Sequence, residues 1–362
     1  MRSGPAPDLI VEPFLHQEKK RLYNPLSDQA LTVGQPGYKE LLGLIRGRIS
    51  PGDLAGPVKE LLSAQGWLVE DGPDLATRFL LKYVSLEGTS VCNQACYFCP
   101  VSVEPRDHAF MSLELYESIV RQLAAFKETI EVVFMNQYNE PTVDRHFLER
   151  VKILKNYHLP PAILTNGSGL SPDRIEALLE MGGVRYFSAN LSTLDPDQYA
   201  RDRGRAHLEL VLRNLDYLKD RPLAELMDLV VLGLGHRAHR RSFKEIKKRY
   251  AGSRFRVRYF KVTDRARYLD LDIKPLRPDL RLRGCEQTGS RPLQHLHITA
   301  QGKCVLCCQD YSERYQVGDL TRESVEEVLT GPALARLRGW AYGLEQAPDD
   351  FICRRCIFAL GR

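Results

Sequence analysis

Cysteine is the residue type in this chain that is grouped as chemistry requires. All nine copies fall into four groups: Cys92, Cys96 and Cys99; then Cys285; then Cys304, Cys307 and Cys308; then Cys353 and Cys356. The first residues, MRSGPAPDLIVEPFLHQEKK, lack the apolar run of a secretory signal, and no later run reaches the ~18 apolar residues of a membrane span. The expected location is therefore the cytoplasm, where reducing conditions disfavour structural disulfides and make clustered thiols metal ligands or redox groups. The segment Cys92-Asn-Gln-Ala-Cys96-Tyr-Phe-Cys99-Pro100 offers three thiolates, with no histidine or further cysteine close by until His108. A structural zinc site closes with four protein ligands, so three ligands and an open position fit a catalytic [4Fe-4S] centre better.

The elements that must hold these thiols follow from pattern and length. With 362 residues, 43% of them hydrophobic, the chain can bury a sizeable core and divides naturally into two or three domains. A formal charge of +5 from 51 basic and 46 acidic side chains makes no case for nucleic acid as a partner. From Phe79 onward, short β-rich runs alternate with amphipathic helical stretches. The strands are expected at Leu81 to Leu86, Glu131 to Met135, Ala162 to Thr165, Val184 to Asn190, Leu229 to Leu234 and Arg256 to Val262. Helical spacing recurs in Ser112 to Phe126, Arg145 to Tyr157, Ser171 to Met181 and Leu208 to Leu218. Repeated βα units predict an α/β fold, a partial (β/α)6 barrel whose chemistry lies at the carboxyl ends of its strands. The three-cysteine loop sits just after the first of these strands.

On either side the pattern changes. Residues 1–78 form a small module with helices around Gly37 to Arg46 and Asp53 to Ala64 and a strand at 66–70. The barrel is expected over 79–270, and 271–362 form a third region. That region begins with a Pro- and Arg-rich link, Lys274 to Arg283, and continues as a hairpin spanning Leu293 to Cys307 and a helix from Glu323 to Arg336.

The CxxxCxxC spacing, with the aromatic Phe98 before the last cysteine, resembles the cluster loop of the radical SAM superfamily. The resemblance implies that Cys92, Cys96 and Cys99 hold three irons of a [4Fe-4S] cluster, that S-adenosylmethionine (SAM) chelates the fourth, and that Phe98 lies beside the adenine. It extends along the barrel. Met135-Asn-Gln-Tyr-Asn139-Glu140-Pro141 resembles the segment that receives the SAM amino group, with Asn139 in place of the usual glycine and Glu140 as the candidate contact. Thr165-Asn166-Gly167 is similar to the family's TNG, and Ser188-Ala-Asn190-Leu-Ser192 falls where the family contacts ribose and methionine. Arg203-Gly204 resembles the stretch whose arginine can pair with the SAM carboxylate. The activity implied is reductive cleavage of SAM to a 5'-deoxyadenosyl radical, with an electron from a flavodoxin- or ferredoxin-type donor.

Residues from Gly284 onward resemble the SPASM/twitch extension of these enzymes, which implies one auxiliary [4Fe-4S] cluster on Cys285, Cys307, Cys353 and Cys356, with Cys304 as alternate to Cys307. A zinc ribbon would use the same hairpin cysteine and CxxC. The N-terminal module is loosely similar to the winged-helix, PqqD-like domains that capture leader peptides, with a purely structural cap on the barrel as the alternative. A precursor-peptide maturase is therefore the leading expectation, with a small-molecule dehydrogenase, for example on an aminosugar alcohol, as the second, and a non-enzymatic zinc protein as a third. His108, His236, His239, Tyr138 and Tyr259 lie near expected strand ends, and none is assigned as a general base.

Overall fold

The structure is a computed structural model and describes residues 8–72, 74–271, 273 and 281–361. They form two compact units. The first takes residues up to Leu81, the stretch ending at His295 and the stretch from Leu329 onwards; the second takes Lys82–Pro275 and Leu296–Val328.

The first unit opens with β1 (Leu9–Val11), β2 (His16–Gln17), β3 (Arg21–Asn24), β4 (Gln29–Thr32), α1 (Tyr38–Ile45), α2 (Gly56–Ala64) and β5 (Leu68–Glu70). Both helices fall where the sequence places them. Strands β2, β3 and β4 make an antiparallel sheet, while β1 pairs with β5. Leu22, Leu31, Tyr38, Leu41, Leu62 and Trp67 bury themselves together as a core of their own.

The second unit is the barrel. Strands β6 (Tyr83–Leu86), β7 (Val132–Phe134), β8 (Pro161–Thr165), β9 (Val184–Asn190), β10 (Ala224–Gly233) and β11 (Arg256–Lys261) run parallel in sequential order. Helices α3 (Leu113–Leu123), α4 (Phe147–Asn156), α5 (Pro172–Glu180), α6 (Pro196–Arg203), α7 (Leu208–Leu218) and α8 (Arg237–Arg249) connect them. The local signals are orthodox: Ser112 caps α3 by accepting from Leu115 N, and Tyr116, Ile119, Val120 and Leu123 turn to the core. Helices α6 and α8 were not foreseen. Each is strongly charged, and the buried positions of α8 are His239, Ser242 and Ile246, which do not read as an apolar stripe.

The C-terminal elements are β12 (Leu282–Cys285), α9 (Arg291–Gln294), β13 (His295–Ile298), β14 (Lys303–Val305), β15 (Gln316–Asp319), α10 (Val325–Thr330), α11 (Pro332–Tyr342) and β16 (Ala359–Gly361). Positions 274–280 of the expected Pro- and Arg-rich link lie outside the described residues. The expected hairpin is β13–β14, and it extends the barrel sheet, whose order is β11-β10-β9-β8-β7-β6-β13-β14-β15. The helix expected at Glu323 to Arg336 is instead two helices. Pro332 cannot continue α10 without losing a backbone donor, so it starts α11 behind the Gly331 cap. Among the described residues no helix is long and apolar enough to cross a membrane.

Candidate active site

The loop after β6 carries the three cysteines. Cys96 is buried, Cys92 and Cys99 are half-buried, and a turn closes between them as Cys99 N donates to Cys96 O at 2.9 Å. Burial pushes the Cys92 thiol up to about 12, with the Glu140 carboxylate adding to the shift, and burial also raises Cys99 against the opposing Arg265. Metal binding must therefore displace protons from these thiols. Among the described residues no three His, Cys, Asp or Glu side chains converge as a group that could hold a metal ion.

Three strand ends hold this loop. From β7, Glu140 N donates to Val91 O at 3.0 Å. The Glu140 carboxylate is 2% exposed and accepts from Thr142 N (3.1 Å), Thr142 Oγ1 (2.6 Å), Thr165 Oγ1 (2.6 Å) and Asn166 N (2.6 Å). Burial pushes its carboxyl up while these donors pull it back. From β8, Asn166 Nδ2 donates to Asn93 Oδ1 at 2.8 Å and Asn93 Nδ2 donates to Ser168 Oγ at 2.9 Å, so the residue after Cys92 is laced to the TNG turn.

The third anchor comes from β9 and α6. Ala95 N donates to Arg203 O at 2.9 Å and Tyr97 N to Asp202 O at 3.1 Å. The Arg203 guanidinium is buried: Nη1 points at Cys96 Sγ (3.5 Å), Nη2 donates to Asn190 Oδ1 (2.7 Å) and Ser192 Oγ (2.9 Å), and its carbon lies 5.0 Å from the Phe98 ring centroid. Gly204 then ends α6 at φ 66°, and a Cβ there would lie 3.2 Å from Ala95 Cβ. Phe98 packs with Cys96 and Val262.

The structure thus joins Cys92, Cys96, Cys99, Phe98, Glu140, Thr165, Asn166, Asn190 and Arg203 in one network. Asn139 sits in the same turn, its Oδ1 accepting from Gln137 N at 3.0 Å. Ser188 is set apart: two residues short of the end of β9, it bonds Tyr186 beside Asp228. Sequence reasoning passed over Asn93, Gln94 and Tyr199. The first two looked like spacers inside CxxxCxxC, yet Gln94 Nε2 donates to Tyr199 Oη at 2.9 Å.

Of the five side chains near strand ends, Tyr138 and His239 are already hydrogen-bonded within the protein. Tyr138 donates to Cys308 O, with its hydroxyl held protonated by burial. His239 is fixed between Val231 O and Gly235 N and stacks on Tyr259 at 4.0 Å. His108 and His236 are exposed.

In the first unit, β12 pairs with β16 so that Cys285 faces Ala359, three residues beyond Cys356. Cys353 and Cys356 close a turn of their own, Cys356 N donating to Cys353 O at 3.3 Å, and Phe358 N points at Cys356 Sγ at 3.5 Å. In the second unit, Cys307 follows β14 and receives Gln309 N at 3.4 Å, whereas Cys304 lies within β14, fully buried between Ile298 and Gly318. Backbone N–H groups aimed at sulfur suit thiolate ligands of an iron-sulfur cluster.

Comparison with known proteins agrees with this chemistry. The family model of the radical SAM superfamily matches residues 86–245, and that of SPASM, an iron-sulfur cluster-binding domain, matches residues 285–357. The chain is 30% identical over 112 residues to the tungsten-containing aldehyde ferredoxin oxidoreductase cofactor-modifying protein of Pyrococcus furiosus, covering 31% of each. It is 30% identical over 111 residues to the S-adenosyl-L-methionine-dependent 2-deoxy-scyllo-inosamine dehydrogenase of Niallia circulans, covering 30% of this chain and 44% of that one. The matched region thus spans less than half the length of these curated relatives. Among solved structures, SuiB of Streptococcus suis bound to the precursor peptide SuiA shares the fold at TM-score 0.58 and 12% identity, over 91% of this chain and 90% of that one. S-adenosylmethionine, a [4Fe-4S] cluster and an auxiliary cluster are accordingly the cofactors that these two domains imply. The chain thus carries a radical SAM domain that holds the three-cysteine loop, followed by a SPASM iron-sulfur cluster-binding domain.

Proposed function

We propose that the protein modifies a ribosomally made precursor peptide by abstracting hydrogen from one of its residues. The observation carrying the peptide reading is the N-terminal module. It has a core of its own and a groove of about 760 Å³ in its unit, lined by Val11, Leu15, Gln17, Lys19, Ile45 and Arg46 among others. Strands β2 and β4 are the edges of their sheet, and an open edge can receive an extended peptide.

In this reading Cys92, Cys96 and Cys99 hold the catalytic cluster, and Cys285, Cys307, Cys353 and Cys356 the auxiliary one. Bound together, the catalytic cluster and SAM supply a 5'-deoxyadenosyl radical when one electron is delivered. The chain's own part is positional. Asn93, Glu140 and Arg203 fix the loop on three strand ends, and Phe98 offers an apolar face for adenine. Asn190 ends β9 at the barrel mouth, and Thr165 Oγ1 is engaged with Glu140 and Gly167 N. Glu140 and Arg203 are already engaged in holding the loop, so we assign both as positioning residues for the SAM site.

The chemistry is tested by anaerobic reconstitution and dithionite-driven 5'-deoxyadenosine formation. About eight irons in wild type and about four in a Cys92→Ala, Cys96→Ala, Cys99→Ala variant, with the product formed by wild type alone, would support two clusters. The substrate is tested with an mRNA-displayed peptide pool selected on the reconstituted enzyme. A selected peptide should lose hydrogen mass on turnover. A second reading, oxidation of a small-molecule alcohol, is supported by the match to the inosamine dehydrogenase. Turnover of an aminosugar alcohol, with no peptide selected, would favour it.

A further inference from the structure

We propose that the outer face of α8 is the docking surface for an acidic, one-electron-carrying protein that reduces the catalytic cluster. The inference rests on the radical SAM reading and adds the route by which the electron arrives. The thirteen residues of α8, RAHRRSFKEIKKR, hold seven cations and a single acid, a formal +6 in a chain whose whole charge is +5. His239, Ser242 and Ile246 face inward, and all seven cations are exposed. Arg241 meets Glu245 at 3.8 Å and Arg249 meets Asp216 at 2.6 Å. The other five, Arg237, Arg240, Lys244, Lys247 and Lys248, have no ion pair among the described residues.

The N-terminal part of this charge opposes the helix dipole, whereas Lys247, Lys248 and Arg249 in the last turn complement it. Arg237 and Arg240 stand in the first turns, at the positive end of the helix dipole, and the first turn holds no acid to compensate. Breaks of a local rule such as the uncompensated cations of the first turns are expected at functional sites.

Position identifies the partner. The first turn of α8 opens onto a groove of about 260 Å³ whose lining includes Tyr97, Asp202, Leu232, His236 and Ala238. Tyr97 lies between Cys96 and Phe98 in the cluster loop. Lys261, at the end of β11, reaches the same corner, its side chain lying against Gly235, and the next residue, Val262, packs on Cys96 and Phe98. A negatively charged protein drawn to α8 is thus delivered beside the loop that accepts the electron. Nucleic acid or an acidic leader peptide would match the charge but has no electron to deliver there. In the step served, the partner is oxidised by one electron and the cluster is reduced by one, with no proton or group transferred. Long-range attraction of this kind raises the encounter rate and is screened by salt.

The test uses the reconstituted full-length holoenzyme with an acidic flavodoxin and its reductase as one electron source and dithionite as the other. An Arg240→Glu, Lys244→Glu, Lys247→Glu variant should lose at least about tenfold in flavodoxin-driven 5'-deoxyadenosine formation and keep its dithionite-driven rate. The corresponding triple glutamine variant, which adds no new charge, should fall between the two, and added salt should slow wild type with flavodoxin alone. Equal flavodoxin-driven rates in variant and wild type would overturn the proposal. So would a parallel fall with dithionite, because the helix would then serve the fold or the SAM site. Absence of product from wild type with dithionite would instead sink the radical reading beneath it.

Discussion

Arg203 and Cys96 are 107 residues apart in sequence, yet the Arg203 guanidinium reaches the Cys96 sulfur at 3.5 Å while its other terminal nitrogen grips Asn190 and Ser192. One planar fork therefore sets both the cluster loop and the end of β9. A lysine ammonium keeps the charge but cannot span acceptors on both sides. Arg203→Lys is expected to lower stability by about 2 kcal/mol and to cut 5'-deoxyadenosine formation by at least about tenfold. Urea unfolding and the dithionite assay check it. A fully active lysine variant would show that the charge alone suffices.

Cys304 and Cys307 are three positions apart and differ in placement. Burial, reinforced by Glu323 and Asp319, pushes the Cys304 thiol far up, within a strand paired on both sides. Cys304→Ala should retain the full iron complement, and Cys307→Ala should lose about four irons. Iron and sulfide counting after reconstitution separates them, and the reverse pattern would exchange their roles.

Glu140 is an acceptor for four donors. A glutamine in its place has one acceptor oxygen and turns an NH2 group toward N–H or O–H donors. Glu140→Gln should therefore cost about 2 kcal/mol and weaken SAM binding, measured by denaturation and by calorimetry on reconstituted enzyme. Unchanged SAM affinity together with unchanged stability would remove Glu140 from the site.

His16 sets a pH limit on the first unit. Its ring nitrogen lies 2.8 Å from Tyr342 Oη, and burial, with Arg21 nearby, lowers it from the ordinary 6.5 to about 4. The unfolded chain takes up this proton first, so the stabilisation is present above 6.5 and is lost as pH falls through about 4. The span corresponds to about 3 kcal/mol. Thermal melts from about pH 7 down to about pH 4 should show a smaller loss for His16→Gln than for wild type. Parallel curves would exclude this imidazole as the titrating group.

What the sequence alone determined is what short-range pattern encodes. The CxxxCxxC loop, the alternation of strands and helices, and the TNG and Arg203-Gly204 stretches are all spacings within a few residues, and the fold honours them. Helices α6 and α8 escaped because their inward faces are carried by polar or charged residues such as Tyr199, Arg203, His239 and Ser242, and Tyr199 and Arg203 meet partners about a hundred residues away. Tertiary structure alone decided that Asn93 bonds Asn166, that Glu140 and Arg203 hold the loop, and that Cys304 is interior while Cys307 follows its strand. It also decided that β13–β15 extend the barrel sheet. The physical reason is common to all of these. A side chain's type states which bonds it can form, but the fold brings the competing partners within reach and so chooses among them.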